Sequence, residues 1–185
     1  MGKVEDLARK FERHIGAPWQ QTVAGAQRVM LVVYEKEEER KLRARIGEFE
    51  QATQRSGHPW RLIDCTTWFA EWMAENDYRD AYFEDPSLLE MTLEGEFRPL
   101  VEQRLTKELE NADDTAVVAL IGLASLYGFM RISELIRAVE SSIRGRFVIF
   151  FPGTKDGSNY RLLDARDGWN YLANSITLHG PGGAE

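Results

Sequence analysis

The chain has 185 residues, of which 43% are hydrophobic and 29% are charged, a composition typical of globular proteins that excludes wholesale disorder. Its formal net charge of −7 argues against unaided binding to the DNA backbone, which requires clustered lysines and arginines. The single cysteine, Cys65, cannot form an internal disulfide, and the longest apolar runs, 117–126 and 147–152, are too short to cross a bilayer. We therefore expect one domain in the reducing cytoplasm, with no membrane contact.

Hydrophobic periodicity predicts helices and strands in alternation. Residues 4–15 repeat apolar side chains every three to four positions, the pattern of an amphipathic helix. The helical period recurs at 35–55, 66–76, 94–111 and 132–139, and the aromatic stretch 77–93 predicts a short helix and a loop. Four short runs, 28–34, 60–65, 115–122 and 146–151, predict strands, and the first is typical of a strand buried on both faces of a parallel sheet.

This order of elements predicts an α/β fold. Strands that alternate with helices form parallel β-α-β units, and the helices then cover both faces of the sheet. We expect a single domain over residues 1–178, built on a mostly parallel sheet of four to five strands, and a flexible C-terminal tail over 179–185.

Ligands bind such sheets at the carboxyl ends of the strands, so the loops that follow them are the first candidates for a site. None contains the glycine motif of a P-loop or of a dinucleotide-binding turn. The loop predicted after the fourth strand, 151–157, combines two glycines with a threonine, a lysine and an aspartate. It could present amides and Lys155 to a phosphate, or form two tight turns, at Pro152-Gly153 and Asp156-Gly157.

Other reactive residues lack the partners that catalysis needs. Glu35, Lys36 and Asp64 could belong to a metal-dependent nuclease site, but they fit a solvated helix end more simply. Ser125 lies outside a G-x-S-x-G turn, and Cys65, with no histidine nearby in sequence, is expected to be a small buried hydrophobe. The sequence therefore predicts no catalytic residue, no metal and no cofactor.

Aromatic residues crowd one third of the chain, in greater number than one helix face can bury. They are Trp60, Trp68, Trp72, Tyr78, Tyr82 and Phe83. Core packing accounts for most of them, and the remainder form a candidate docking patch, because Trp and Tyr are enriched in interface hot spots. The candidates for docking are Trp68, Trp72, Tyr78 and Tyr82.

Two stretches of the chain resemble a known protein family. They read ALIGLASLYGFMR at 119–131 and FVIFFPGTKDG at 147–157. Together they resemble the BrxB family of the bacteriophage exclusion (BREX) systems, and a weaker likeness extends to Tyr34, Arg43 and the segment RLIDCTTWF. Gly128 and Lys155 depart from the family pattern, as do Glu35-Lys36, so the chain resembles a divergent member.

The resemblance implies a small accessory protein of a phage-defence operon, working with a PglZ-like protein, the BrxC ATPase and the PglX DNA methyltransferase. It carries over no catalytic activity. The motif positions that it marks are Ser125, Tyr127, Phe129 and Arg131 in the first stretch, and Pro152, Gly153, Asp156 and Gly157 in the second. Both stretches would lie at the carboxyl edge of the sheet.

Two functional hypotheses follow. The first is a non-enzymatic interaction subunit of a BREX complex that contacts DNA only indirectly. The alternative is an enzyme or sensor that binds a nucleotide or phosphate through Tyr127, Arg131, Thr154 and Lys155 at the carboxyl edge.

Overall fold

The computed structural model describes residues 2–165, 168–171 and 173–178, and its centre is a parallel β-sheet. The strands are β1 (Val29–Tyr34), β2 (Trp60–Asp64), β3 (Val117–Ile121), β4 (Arg146–Asp156), β5 (Asn159–Leu162), β6 (Trp169–Asn170) and β7 (Asn174–Ile176). Five of them lie side by side in the order β2-β3-β4-β1-β7, and each neighbouring pair is parallel. The predicted α/β class and mostly parallel sheet are confirmed. The predicted tail, 179–185, lies outside the described residues.

The central strands are buried on both faces because their apolar side chains alternate between two cores. In β1, Val29, Leu31 and Val33 enter one core, whereas Met30 and Val32 enter the other. The neighbouring strands β3 and β4 divide their side chains between the same two cores. Nearly continuous apolar runs are what such two-sided burial requires, which is why the sequence located these strands.

Helices cover both faces, as predicted. They are α1 (Lys3–Ile15), α2 (Glu39–Ala44), α3 (Ile46–Arg55), α4 (Trp68–Glu75), α5 (Arg79–Glu84), α6 (Leu89–Thr92), α7 (Arg98–Glu110) and α8 (Ile132–Val139). The first three pack on one face of the sheet, through residues that include Leu7, Leu42 and Phe49. Helices α4, α7 and α8 contribute to the core on the other face. Among the described residues, no helix combines the length and the apolar character needed to cross a membrane.

The helix predicted over 35–55 is divided in two at Arg45. The backbone of Arg45 leaves the helical region, with φ −112° and ψ 11°, and its side chain pairs with Glu5 of α1 at 2.6 Å and with Glu48 at 2.9 Å. Gly47 lies two residues further on, and glycine is a poor helix former. The helix predicted over 94–111 is interrupted at its start, where Leu93–Phe97 form a π-helical turn before α7.

We expect Phe150→Ala to lower the free energy of unfolding by about 3–5 kcal/mol, because it empties a fully buried site in the central strand. The Phe150 ring is inaccessible and packs edge-on against Phe49, with 4.9 Å between ring centroids. Urea unfolding measures the loss. The matched control, Leu62→Ala, removes a side chain that is 40% exposed on the edge strand β2 and should cost less than about 1 kcal/mol. Equal losses in the two variants would contradict this packing.

Candidate functional site

The carboxyl ends of β1, β2, β3 and β4 meet along one edge of the sheet, which we call the carboxyl edge. Parallel α/β sheets bind ligands at this edge. Strands β3 and β4 are neighbours, so the two motif stretches approach the same edge. Their individual side chains, however, have different environments.

The first stretch, after β3, is divided between structural and exposed residues. The Ser125 hydroxyl lies 2.7 Å from the carbonyl oxygen of Gly122 and 3.1 Å from that of Cys65, so it links the loop after β3 to the end of β2. The Phe129 ring stacks on Phe69, with 3.9 Å between ring centroids. Tyr127 is 47% exposed. Arg131 is also exposed, and its nearest carboxylate is Glu134, at 3.7 Å.

The second stretch is mostly strand, so the prediction of a loop over 151–157 is wrong. Strand β4 continues to Asp156 and pairs with the antiparallel β5, with Gly153 opposite Leu162 and Asp156 opposite Asn159. A Cβ atom at Gly153 would lie 2.0 Å from the Arg161 carbonyl oxygen, which explains the glycine there. Of the two predicted turns, the one at Pro152-Gly153 is therefore wrong. The chain reverses further on, at Gly157, which has a φ of +58°.

The proposed phosphate ligands at this edge make separate contacts. Lys155 donates a hydrogen bond to the Ser175 hydroxyl at 2.6 Å, and Thr154 pairs with Arg161 in the β4-β5 ladder. Within the described residues, neither makes a hydrogen bond or ion pair with Tyr127 or Arg131. Lys155 is thus engaged by Ser175, whereas Tyr127 and Arg131 are exposed and make no such contact with it in the described part of the chain.

A polar network at the carboxyl edge joins side chains that the sequence did not group. Arg43, on α2, donates to Glu39 at 2.7 Å, to Asp64 at 2.9 Å and to the Thr66 hydroxyl at 2.6 Å. The Tyr34 hydroxyl donates to the same Glu39 carboxylate. The network therefore connects the ends of β1 and β2 through Glu39 and Arg43 of α2. Twenty-one residues separate Arg43 from Asp64, so no local pattern could reveal it.

The electrostatics of this network favour charged Asp64 and neutral Tyr34. Burial raises the pKa of Asp64, but hydrogen bonds from Arg43 and Thr66 outweigh it, and the pKa lies below its ordinary value. Burial, together with the Glu39 carboxylate, raises the pKa of Tyr34 far above its ordinary value. Every member of the network has a partner inside it. We interpret the network as structural: it holds the loops of the carboxyl edge in position.

Gly122 and Cys65 fill the space beneath the network. Gly122 has a φ of +87°, and a Cβ atom there would lie 2.4 Å from the Thr66 hydroxyl oxygen and 2.8 Å from an Asp64 carboxylate oxygen. Cys65 is fully buried, as predicted, and burial raises the pKa of its thiol to about 12. A thiol with that pKa is a poor nucleophile at neutral pH.

The suggested nuclease site does not form either. Glu35 pairs with Lys3 of α1 at 2.5 Å, Lys36 pairs with Asp164, and Asp64 is held by Arg43. In the part of the chain that the structure describes, no group of three or more His, Cys, Asp or Glu side chains is arranged to hold a metal ion.

The most unusual surface lies between α4 and α7, over residues 77–96. Of the six large apolar side chains that are exposed in the described part of the chain, four lie here. They are Tyr78, Phe83, Leu88 and Met91, with exposed fractions of 70%, 69%, 53% and 87%. Residues 77–96 also contain seven carboxylates and one arginine, so their net charge is −6, whereas the whole chain carries −7. We call residues 77–96 the acidic-apolar segment.

The four aromatic residues predicted to dock a partner differ in their exposure to solvent. Trp68 is only 8% exposed and belongs to the core, and Trp72 packs against that core beside Phe97. Tyr82 is half-buried, and its hydroxyl is 3.1 Å from that of Thr92. Of the four candidates, only Tyr78 is largely exposed to solvent. Helical periodicity shows which residues share a face of the helix, but it does not show which face packs against another element.

We expect Asp64→Asn to destabilise the chain at pH 7 and to matter progressively less as the pH falls. The folded-state pKa of Asp64 is depressed, so its stabilisation is complete above the unfolded pKa and is lost as the pH falls through the folded pKa. Urea unfolding of both proteins at pH 7, 5 and 3 measures the difference. Asp80→Asn, which alters a side chain that is 90% exposed, is the control and should show no comparable difference. A D64N effect that is the same at pH 7 and pH 3 would refute this assignment.

Comparison with known proteins adds a family to this geometry. The sequence model of the family described as BREX protein BrxB matches residues 69–176, more than half of the chain. No curated protein and no solved structure matches it. The matched part includes both motif stretches and the acidic-apolar segment, whereas Arg43 and Asp64 lie outside it. The chain therefore belongs to the BrxB family, and that membership implies a component of a BREX phage-defence system.

Proposed function

We propose that the chain is a non-catalytic interaction subunit of a BREX assembly that binds a PglZ-like partner through the acidic-apolar segment. The observation that carries this proposal is the exposure of four large apolar side chains within residues 78–91. Monomeric proteins rarely leave contiguous apolar surface uncovered, and such patches mark interaction sites.

Hydrogen bonds within the acidic-apolar segment connect its short helices although its side chains are exposed. The Tyr82 hydroxyl and the Thr92 hydroxyl, 3.1 Å apart, connect α5 to α6. Between these helices, the Asp85 carboxylate accepts hydrogen bonds from the backbone amide and the hydroxyl of Ser87. A surface that is already ordered loses less conformational entropy when a partner binds.

The charge of the segment defines the chemistry of its partner. Seven carboxylates lie in the same segment as the exposed apolar side chains, and Arg79 is the one cation of the segment. A complementary surface has an apolar centre for Phe83 and Met91 and a rim of lysines and arginines. We propose that the PglZ-like protein supplies it. The BrxC ATPase, the PglX methyltransferase and DNA are then reached through the assembly.

The non-catalytic part of the proposal is supported by the state of the reactive groups. Ser125 and Lys155 are engaged in structural hydrogen bonds, and Cys65 is buried. Asp64 is engaged by Arg43. The alternative, a nucleotide site at the carboxyl edge, is favoured by no comparable observation, because Lys155 is engaged by Ser175 and not by Tyr127 or Arg131.

We expect the double variant Phe83→Ser, Met91→Ser to bind the PglZ-like protein of the same operon at least about tenfold more weakly, because truncating interface anchors costs about 2 kcal/mol or more. Titration of the two purified proteins by calorimetry measures the dissociation constant. The midpoint of urea unfolding should stay close to that of the unsubstituted chain, since both side chains are exposed.

Leu62→Ser is the matched control, because Leu62 is also exposed, at 40%, but lies on β2 outside the segment. It should bind with unchanged affinity. Full affinity of the double variant, or equal losses in the double variant and the control, would reject the acidic-apolar segment as the docking surface.

A further inference from the structure

A cavity of about 480 Å³ lies at the amino edge of the sheet, opposite the carboxyl edge, under the chain that follows α1. Three arginines line it, Arg28, Arg144 and Arg146, together with Trp19, His58 and Asp114. Three cations around one cavity are unexpected in a chain with a net charge of −7. None of the features discussed above uses them.

The arginines have no carboxylate partner among the described residues. Their hydrogen bonds go to backbone carbonyl groups, and Asp114, on the same cavity, forms an ion pair with none of them. Burial, and then the positive charge of Arg28, lower the pKa of Arg146. The like charges repel each other, and the counter-charge nearby acts at longer range: hydrogen bonds from Thr115 and, to a smaller degree, the charge of Arg144 lower the pKa of Asp113.

The carbonyl contacts hold these cations in place. Arg28 donates to the carbonyl groups of Gln21 at 3.1 Å and Ile143 at 3.4 Å, which fixes the chain after α1 to the start of β4. The Arg146 guanidinium donates to the Gln20 carbonyl at 3.2 Å and lies 4.6 Å from the centre of the Trp19 ring. These charges therefore need no rearrangement to meet a ligand.

Donors remain available for that ligand. A guanidinium has five N–H groups. Arg146 makes two hydrogen bonds, both to carbonyl groups, and Arg144 makes one long contact of 3.5 Å to the Glu110 carbonyl. Most of the donors of both side chains are thus without a partner in the described structure.

We propose that this cavity binds the phosphate group of a small phosphorylated ligand of nucleotide size. A phosphate dianion offsets two of the three charges, and its oxygens accept the forked N–H pairs of arginine. The volume lies within the usual range of small-molecule sites, roughly 300–1,000 Å³. This site is independent of the docking surface proposed above.

Trp19 limits what else the ligand can contact. One face of its ring stacks on His58, with 3.7 Å between ring centroids and 6° between ring planes, and Arg146 lies over the ring at 4.6 Å. With both partners in place, the ring has no face for a nucleobase. Recognition is therefore directed at the phosphate, and the remainder of the ligand occupies the polar wall near Gln20 and Thr115.

The test is a thermal unfolding titration of the full chain with ATP, tripolyphosphate, pyrophosphate and adenosine at constant ionic strength. We expect ATP and pyrophosphate to raise the unfolding temperature with saturable binding, and adenosine to have no effect. Binding of ATP that is tighter than that of tripolyphosphate, which has the same number of phosphate groups, identifies a nucleoside phosphate as the ligand class, and equal binding of the two identifies the phosphate group alone. No shift with any of the phosphate compounds, or an equal shift with adenosine, overturns the proposal.

Arg146→Gln should weaken pyrophosphate binding tenfold or more. Because Arg146 also holds the chain near Trp19, Arg144→Gln is the second variant: its one hydrogen bond is long, so its loss leaves the fold intact, and it too should weaken binding tenfold or more. The control is Arg40→Gln, an exposed arginine on α2, which should bind pyrophosphate normally. Unchanged affinity in the Arg144→Gln variant would refute the site even if Arg146→Gln fails to fold.

Discussion

The packing of β4 between β1 and β3 is the constraint on which the remainder of the structure depends. Its side chains alternate between the two cores, with Phe147, Ile149 and Phe151 on one face and Phe150 on the other. The chain approaches neighbouring backbone closely at two positions, one just before β4 and one within it. A Cβ atom at Gly145 would lie 2.1 Å from the Ala116 carbonyl oxygen, and one at Gly153 would lie 2.0 Å from that of Arg161. The register of β4 with its neighbours is therefore coupled to the packing of both cores and to the β4-β5 hairpin.

The sequence predicts those elements of the fold that are determined by residues close together in the chain. The apolar runs of β1, β3 and β4 identify buried strands without any knowledge of their partners. Residues 152–157 combine proline, glycine and polar side chains, so their local signals are those of a turn. Residues 152–156 nevertheless form a strand because β5 supplies their partner, which is a non-local cause. The Arg43–Asp64 ion pair was missed for the same reason.

The charges of the chain are separated in space. The acidic-apolar segment carries a net charge of −6, and the cavity at the amino edge gathers three arginines. Composition alone shows a mildly acidic protein and conceals both surfaces. Aromatic content is equally ambiguous, since Trp68 is buried and Phe83 is 69% exposed although both belong to the same crowded stretch. Exposure depends on which helix faces find neighbours, and only the structure supplies that.

Hydrogen exchange with mass spectrometry, on the free chain and on its complex with the PglZ-like protein, tests the central claim most directly. Amides in the short helices of residues 77–96 have few buried neighbours and should exchange early in the free chain. The account predicts that new protection in the complex is concentrated in this segment, while β4 is protected in both states. New protection at the carboxyl edge, with none in residues 77–96, would contradict it.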